Sequence, residues 1–314
     1  MTTISCIEKL RDEINRQLRP LFKSDYRLLE IPDYPNIGDV LIFEGERQFL
    51  RTLPYRCKEM STMTSFAYRL PKIPMSDLLV LSGGGYFGDL WPKEGPAFQA
   101  KILEAYPENP MVILPQSVCF TSKENLESAV RRYGAHKNLT ICLRDRASYE
   151  FVIKHFSNPA VLAPDMAFYS GIERFADECW SGRKLFILRK DKEQKRTALV
   201  DQYCQDEDFE KADWPTMEAK DWLDRVKNRL RAHPALGAKM LDWFTAGPYR
   251  RNRIRRGIDF IKPYSEVVST RLHGGIMAMM LGKDVTFLDN SYGKIRALYE
   301  TWLRDCEKIS FEDE

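Results

Sequence analysis

The stretch EVVSTRLHGGIMAMMLG runs from Glu266 to Gly282 and joins two apolar segments through an arginine and a histidine. EVVST is typical of a buried strand, and IMAMMLG continues as a buried helix. The chain has only four histidines, so the position of His273 at this junction is informative. In α/β folds, ligands bind at the carboxyl ends of strands that run into helices. The stretch therefore predicts an α/β fold in which Arg271 and His273 face a ligand.

Other apolar runs, separated by helical segments, repeat this organisation. They are RLLEI (27–31), DLLVLSGGG (77–85), MVILPQS (111–117), LTICLRD (139–145), VLAPD (161–165), KLFILRKD (184–191) and DVTFLD (284–289). Continuous apolar strands alternating with helices indicate parallel sheets covered on both faces. The pattern is lost between 170 and 182, which predicts two Rossmann-like domains, 1–175 and 176–314, facing a cleft. One long helical stretch is expected from about Thr216 to Phe244.

Composition excludes several classes of protein. The net charge of +3 is too small to indicate nucleic-acid binding. Apolar stretches reach about nine residues, half of the ~18 that a membrane-spanning helix needs. The charged N-terminus lacks the apolar core of a signal peptide, so we expect a cytoplasmic protein. Seven cysteines without a CxxC pair indicate neither a disulfide framework nor a zinc site.

The glycine-rich segment GGGYFGD contains the pattern GxGxxG at Gly83, Gly85 and Gly88. A dinucleotide site is disfavoured because the next strand ends in LPQS, without the acidic residue that would hold a ribose. Glycines nevertheless allow backbone N–H groups to approach an anion or a sugar closely. Gly84 and Gly85 are therefore candidate ligand contacts, and a tight turn packed against its neighbours is the alternative.

Several strand ends carry arginines. Arg144, Arg189 and Arg271 each follow an apolar run, and arginine binds carboxylates or phosphates with a planar fork. A helix beginning at Leu272 and including Gly274 adds a positive helix terminus beside Arg271. The alternative is that each arginine pairs with a structural carboxylate. His273 is placed to donate or accept a proton, with a capping or core histidine as the alternative.

The turn YPNIGD places Asn36 and Asp39 where the first strand passes into its helix. Asp39 either favours the helix terminus or contacts a sugar hydroxyl as a base. The segment 248–262 carries five arginines and an apolar face of isoleucines. It is either a helix docked on the core with a solvated basic face, or a peripheral contact with the inner face of the membrane.

Six motifs occur in an order that resembles the polysaccharide pyruvyl transferase family. They are NIGDVLI, LVLSGGGYFGD, ILPQS, LRDRASYE, APDMAF and STRLHGGIMAMMLG, and they extend over about residues 35 to 300. Where some family members have an acidic residue before the arginine, this chain has Thr270.

The resemblance implies a GT-B-like fold of two domains in a bacterial enzyme without a metal or other cofactor. Family members transfer the pyruvyl group of phosphoenolpyruvate to a sugar, commonly as a 4,6-ketal on galactose or a similar hexose. Their acceptors belong to capsular or exopolysaccharide precursors, which are often lipid-linked. The arginine and histidine of the motif RLH, here Arg271 and His273, are associated in the family with donor binding and proton transfer.

Combining the resemblance with the residues gives a specific hypothesis. His273 supplies a proton and Arg189 and Arg271 hold the donor, while Asp39 orients or deprotonates the acceptor. The glycine-rich segment, with Phe87 or Trp91, lines the sugar side, because aromatic faces suit sugar rings. The alternatives are a GT-B glycosyltransferase that uses a nucleotide sugar, and a non-catalytic glycan-binding assembly factor.

Overall fold

The structure is a computed structural model that describes residues 1–92, 95–176 and 182–313. Two sheets, in which the recorded strand pairs are parallel, organise the chain. The first sheet is formed by β1 (Tyr26–Leu29), β2 (Cys57–Met60), β3 (Leu78–Leu81), β4 (Gly84–Gly88), β5 (Met111–Cys119), β6 (Leu139–Leu143) and β7 (Ala160–Leu162). The second is formed by β8 (Lys184–Ile187), β9 (Phe209–Ala212), β10 (Glu266–Ser269), β11 (Asp284–Leu288) and β12 (Ile309–Glu312). The prediction of an α/β fold with parallel sheets is confirmed.

In both sheets some neighbouring strands are not consecutive in the chain, so crossover connections join them. The first sheet runs β2-β1-β3-β5-β6-β7, with β4 paired to β5, and the second runs β12-β11-β10-β8-β9. The helices are α1 (Thr3–Leu18), α2 (Ile37–Leu50), α3 (Met63–Arg69), α4 (Gly95–Ala105), α5 (Lys123–Ala135), α6 (Arg146–His155), α7 (Ala198–Gln205), α8 (Pro215–Glu218), α9 (Trp222–Ala232), α10 (Pro234–Phe244), α11 (Arg250–Ile261), α12 (Leu272–Met280) and α13 (Lys294–Leu298). None of the helices in the described ranges has both the length and the apolar character needed to cross a bilayer.

Both sheets contribute to one hydrophobic core. Leu28 of β1, Leu185 of β8 and Val267 of β10 belong to the same buried cluster, together with side chains of α1, α2 and α12. Helices from the second half of the chain also pack on the first half. Asp242 of α10 accepts a hydrogen bond from the Thr62 amide at 2.8 Å, at the start of α3. The predicted boundary segment, 170–182, includes 177–181, which lie outside the described residues.

The structure corrects two predicted elements. β3 ends at Leu81, before the glycines, but Gly84–Gly88 then form a further strand, β4, along β5, which the sequence did not predict. The long helix expected over 216–244 is three helices, α8, α9 and α10. Asp221 starts α9 with a capping box, and Pro234 occupies the first turn of α10, where its missing N–H costs nothing.

The spacing of the cysteines in the sequence did not predict a disulfide that joins the two ends of the chain. Cys6 of α1 and Cys306, near the C-terminus, are joined as a disulfide with their Cα atoms 5.9 Å apart. The Glu307 amide also donates to the carbonyl of Met1 at 2.8 Å. The N-terminal helix is thus attached to the second half of the chain.

Candidate active site

The carboxyl ends of strands from both sheets surround a cavity of about 360 Å³. Its walls combine charged groups with aromatic and thioether side chains. They are formed by Asp33, Tyr34, Pro35, Asn36, Asp39, Met63, Gly85, Tyr86, Trp91, Gly95, Arg144, Arg189, Asp191, Glu193, Trp214, Met217, Arg231, Arg271, Leu272, His273 and Lys294. The cavity lies where ligands bind in open parallel sheets.

Two helix N-termini, one from each half of the chain, meet at His273. Asn36 caps α2 by accepting the Gly38 amide at 3.0 Å, and Arg271 precedes the first residue of α12. Gly38 packs so closely on the histidine ring that a Cβ there would lie 2.8 Å from His273 Nδ1. Glycine is required at this crossing because a larger residue would displace the ring. The positive ends of two helices therefore face the same space, which favours an anion.

A buried carboxylate holds the histidine and an arginine together. Asp165 Oδ2 lies 3.1 Å from His273 Nε2 and 2.8 Å from Arg144 Nη1. Burial alone would raise the pKa of Asp165, but His273 and Arg144 outweigh it and hold that pKa well below its usual value. Asp165 stays ionised and fixes the orientation of the imidazole ring.

Arg189 and Arg271 both have carboxylate partners. Arg271 forms a two-pronged pair with Asp213, with its Nη2 at 2.7 Å from Oδ2, and contacts Asp191 at 3.2 Å. Arg189 contacts Asp191 at 2.9 Å and Glu193 at 2.7 Å. Asp213 and Asp191 are the acidic partners of Arg271. Thr270, the residue before Arg271, accepts a hydrogen bond from the Arg189 amide and donates one to the Ile187 carbonyl.

Among the arginines that line the cavity, Arg144 has a buried donor atom that no other described residue engages. Its side chain is fully buried, yet Nη2 has no hydrogen-bond partner among the described residues. A Cβ placed on Gly85 would lie 2.9 Å from this atom, 3.5 Å from Lys294 Nζ and 3.5 Å from the Tyr292 hydroxyl. Three donors thus approach the bare Cα of Gly85 closely, at the wall of the cavity, and the adjoining cavity space suits an anionic oxygen.

Lys294 contributes a second cation to this space. Its Nζ lies 2.5 Å from Glu193 Oε2. Burial lowers the pKa of Lys294 to about 8, with Glu193 opposing the shift and Arg189 and Arg144 adding to it. Burial raises the pKa of Glu193, but Lys294 and Arg189 bring it down to about 2. The pKa of Lys294 therefore lies close to neutral pH, and shifted pKa values of this kind are typical of functional sites.

Asp39 projects from the first turn of α2 into the same cavity. Its Oδ2 accepts a hydrogen bond from Asn36 Nδ2 at 2.6 Å. Burial raises the pKa of Asp39, while His273, Lys294 and Arg144 work in the opposite direction. A carboxyl with a raised pKa beside a histidine is suited to accept a proton from a hydroxyl group.

The remaining predicted site residues divide between the cavity and the core. Leu272 and Trp91 line the cavity, and Trp91 Nε1 donates to Glu193 at 3.1 Å. Gly274 instead packs against Ser269 and Ile187 beneath α12, and Gly84 lies beside the Tyr86 ring behind the wall.

Phe87 does not reach the cavity. It is 1% exposed and packs among Tyr133, Phe156 and Phe120. Successive side chains of a strand point to opposite faces, so Tyr86 lines the cavity in its place.

Sequence reasoning missed Lys294, Tyr292, Tyr34 and Asp213. Lys294 and Tyr292 follow β11, so the rule that ligands lie at strand ends, applied to DVTFLDNSYGK, could have found them. Asp213 follows β9, a strand that the apolar pattern did not reveal, and no local signal links it to Arg271, 58 positions away.

Comparison with known proteins identifies the class of enzyme. The family model for polysaccharide pyruvyl transferase matches residues 36–292. The chain therefore belongs to the polysaccharide pyruvyl transferase family, and the predicted family and enzyme class are confirmed.

Individual relatives agree with this assignment. The chain is 31% identical to a protein named putative pyruvyl transferase EpsO, from Bacillus subtilis, over 90% of this chain and 86% of that one. It is 27% identical to pyruvyl transferase 1 of Schizosaccharomyces pombe, over 89% of this chain and 70% of that one. A solved structure of an uncharacterised protein from Klebsiella pneumoniae superposes with a TM-score of 0.62 at 18% identity, covering 98% of both chains, which supports the fold alone.

Proposed function

We propose that this enzyme transfers the pyruvyl group of phosphoenolpyruvate to two hydroxyls of a sugar, as a 4,6-ketal on galactose or a similar hexose. The observation that carries the proposal is the cavity space next to Gly85, at whose wall Arg144 Nη2, Lys294 Nζ and the Tyr292 hydroxyl converge. Phosphoenolpyruvate carries a carboxylate and a phosphate on one small frame. It suits a site with several cations and two helix N-termini better than a neutral donor would.

The donor chemistry assigns a role to each group around this space. Arg144 and Lys294 bind one anionic group of phosphoenolpyruvate, and the N-terminus of α12 with Arg271 and Arg189 faces the other. Because Arg271 and Arg189 already pair with Asp213, Asp191 and Glu193, they hold a fixed position and are not free charges. This fixed array presents donors without rearrangement during the reaction.

The reaction proceeds by protonation of the vinyl carbon. His273, held by Asp165, gives its proton to the methylene carbon, which becomes the methyl group of the product. One sugar hydroxyl bonds to the adjacent carbon and loses its proton to Asp39. The bond from that carbon to the phosphate oxygen then breaks and inorganic phosphate leaves. The second hydroxyl closes the ring and passes its proton to the departing phosphate. A positioned acid typically contributes 10²–10⁴-fold to the rate.

The acceptor occupies the aromatic side of the cavity. Tyr34, Tyr86, Trp91 and Trp214 line it together with Asn36. Aromatic faces present apolar area to the C–H face of a sugar ring, and Asn36 and Asp39 offer hydrogen bonds to its hydroxyls.

The acceptor, the location of the reaction and the type of fold are proposed from the resemblance to the family. The acceptor is a precursor of a capsular or exopolysaccharide, carried on a lipid, and the enzyme acts in the cytoplasm. The fold is a GT-B-like pair of Rossmann-like domains, for which the two parallel sheets and the cavity at their strand ends give support.

Thermal melting with and without phosphoenolpyruvate tests the proposal. Ligand at about 100 times its dissociation constant adds roughly 2.7 kcal/mol to the free energy of unfolding. We expect this stabilisation in the wild type and its loss in Lys294→Met. Lys190→Met is the matched control, because Lys190 is exposed and pairs with Glu218 outside the cavity. Stabilisation by a nucleotide sugar instead of phosphoenolpyruvate would assign the site to glycosyl transfer. Sugar binding without phosphoenolpyruvate binding would indicate an assembly factor.

A further inference from the structure

The segment 220–262, which contains α9, α10 and α11, has an unusual charge. It holds 12 lysines and arginines against 4 aspartates, whereas the whole chain has a net charge of only +3. The structure describes this segment without a gap, and its exposed basic residues are Lys220, Arg225, Arg229, Arg231, Lys239, Arg251 and Arg255. Within it, Asp259 is the one exposed carboxylate, and it pairs with Arg255 at 3.6 Å. The outer face is therefore strongly positive.

The arginines of α11 contribute less to this face than the sequence predicts. Arg250 pairs with Glu44, Arg253 pairs with Asp221, and both arginines are buried. Of the arginines of this helix, only Arg251 and Arg255 are exposed. The isoleucine face of α11 is buried in the core, so this helix alone offers no apolar surface to a membrane.

The exposed apolar side chains belong to α9 and α10. Trp222 is 64% exposed, Trp243 67% and Met240 58%. Leu223 and Phe244 belong to one small buried cluster, so the start of α9 lies beside the end of α10. The two tryptophans, each next to one of these residues, therefore lie at the same end of the helix pair. Two large aromatic side chains exposed at one end of a helix pair are typical of an interaction site.

We propose that the α9–α10 surface, defined by Trp222, Val226, Met240, Trp243 and the exposed basic residues around them, docks on an anionic phospholipid bilayer. Tryptophan favours the interface between lipid and water, and basic side chains favour anionic headgroups. A two-fold contact with a second copy would oppose like charges, because both partners would present the same patch. Charge complementarity thus favours the bilayer.

The same segment reaches the active site. Arg231, at the end of α9, lines the cavity and lies 3.7 Å from Asp33. A bilayer bound to this surface would lie close to the rim of the cavity. The inference goes beyond pyruvyl transfer and does not depend on the donor or on the acceptor sugar.

Sedimentation with vesicles tests the docking surface. The intact protein is incubated with vesicles of phosphatidylcholine, or of phosphatidylcholine and phosphatidylglycerol in equal amounts. We expect binding to the anionic vesicles that weakens with added salt. The double variant Trp222→Ala/Trp243→Ala should bind at least about tenfold more weakly. Arg225→Gln and Arg229→Gln should each weaken binding by about fivefold.

Matched controls separate the surface from general effects. Ile153→Ala removes an apolar side chain that is 55% exposed elsewhere, and Lys123→Gln removes a charge on α5. Both should bind vesicles like the wild type. Absence of wild-type binding to anionic vesicles, or full binding by the double tryptophan variant, would overturn the proposal. So would a dimer in sedimentation equilibrium that the double variant dissociates, since the occupant would then be a second copy. Phosphoenolpyruvate binding, measured on the same samples, reports on the proposed function independently.

Discussion

Gly85→Ala places one methyl group in the space proposed for an anionic group of the donor. Gly85 does not adopt a positive φ angle, so the backbone accepts alanine, and the nearest atom, Arg144 Nη2, has no hydrogen bond to lose when it shifts. The methyl carbon would lie 2.9 Å from Arg144 Nη2, so the guanidinium must move away and lose its proposed hydrogen bond to a ligand oxygen. A hydrogen bond to a charged group contributes about 1.5–3 kcal/mol. We therefore expect the dissociation constant of phosphoenolpyruvate to rise about 10- to 150-fold.

Titration calorimetry measures the affinity, and thermal melting without ligand measures the stability. A glycine-to-alanine change at a compatible position alters the free energy of unfolding by about 0.4–1 kcal/mol, so the melting temperature should change little. Gly247→Ala is the control, because its Cβ would have only Arg251 Nη1 nearby, at 3.9 Å. If Gly85→Ala bound phosphoenolpyruvate like the wild type, the anion would not lie over this residue and the assignment of Arg144 would fail.

Three other perturbations test the roles of single side chains. His273→Gln should lower the rate of phosphate release in the presence of acceptor by about 10²–10⁴-fold with donor affinity kept, and a loss below about tenfold would exclude the acid role. Burial lowers the pKa of Lys294 to about 8, so donor affinity should decline as the pH rises through that value. Lys294→Arg should remove this decline, and an identical pH profile for both proteins would count against the lysine as a ligand. Burial raises the pKa of Glu46 from 4.5 to about 8, and Gly83 and Ser82 only partly oppose it. The folded state then holds an extra proton between these pH values, so the free energy of unfolding should fall as the pH rises between them. Glu46→Gln should flatten that slope in melting curves, and unchanged slopes would contradict the raised pKa.

The alternation of apolar strands and helices was sufficient to predict an α/β fold with parallel sheets. The parallel sheets follow from runs such as LLVL and ICL, which are apolar on both faces because helices cover both sides. The pattern failed for short strands at the sheet edges, such as β2 and β9, whose exposed residues give no continuous apolar run. Edge strands bury less area, so their sequences are less constrained.

The candidate site was predictable where position along a strand determined it. Arg144, Arg189, Arg271 and His273 follow strand ends, and the structure brings them to one cavity. Which of the arginines has a donor free for a ligand was not predictable. That property depends on Asp213, Asp191 and Glu193, whose contacts arise from tertiary packing. Gly274 shows the same limit, because its role in packing against Ser269 depends on where α12 lies on the sheet.

The shared core beneath both sheets has a consequence for substrate capture. Leu28, Leu185 and Val267 belong to one cluster, and Asp242 of α10 is attached to the start of α3. Two halves connected in this way cannot swing apart without exposing apolar side chains to water. We therefore expect substrates to enter through the rim of a preformed cavity, without a hinged closure of the two halves of the chain. The charged groups are then arranged when the chain folds, and binding needs little further ordering. Such a site selects among possible substrates by the fixed shape of its cavity.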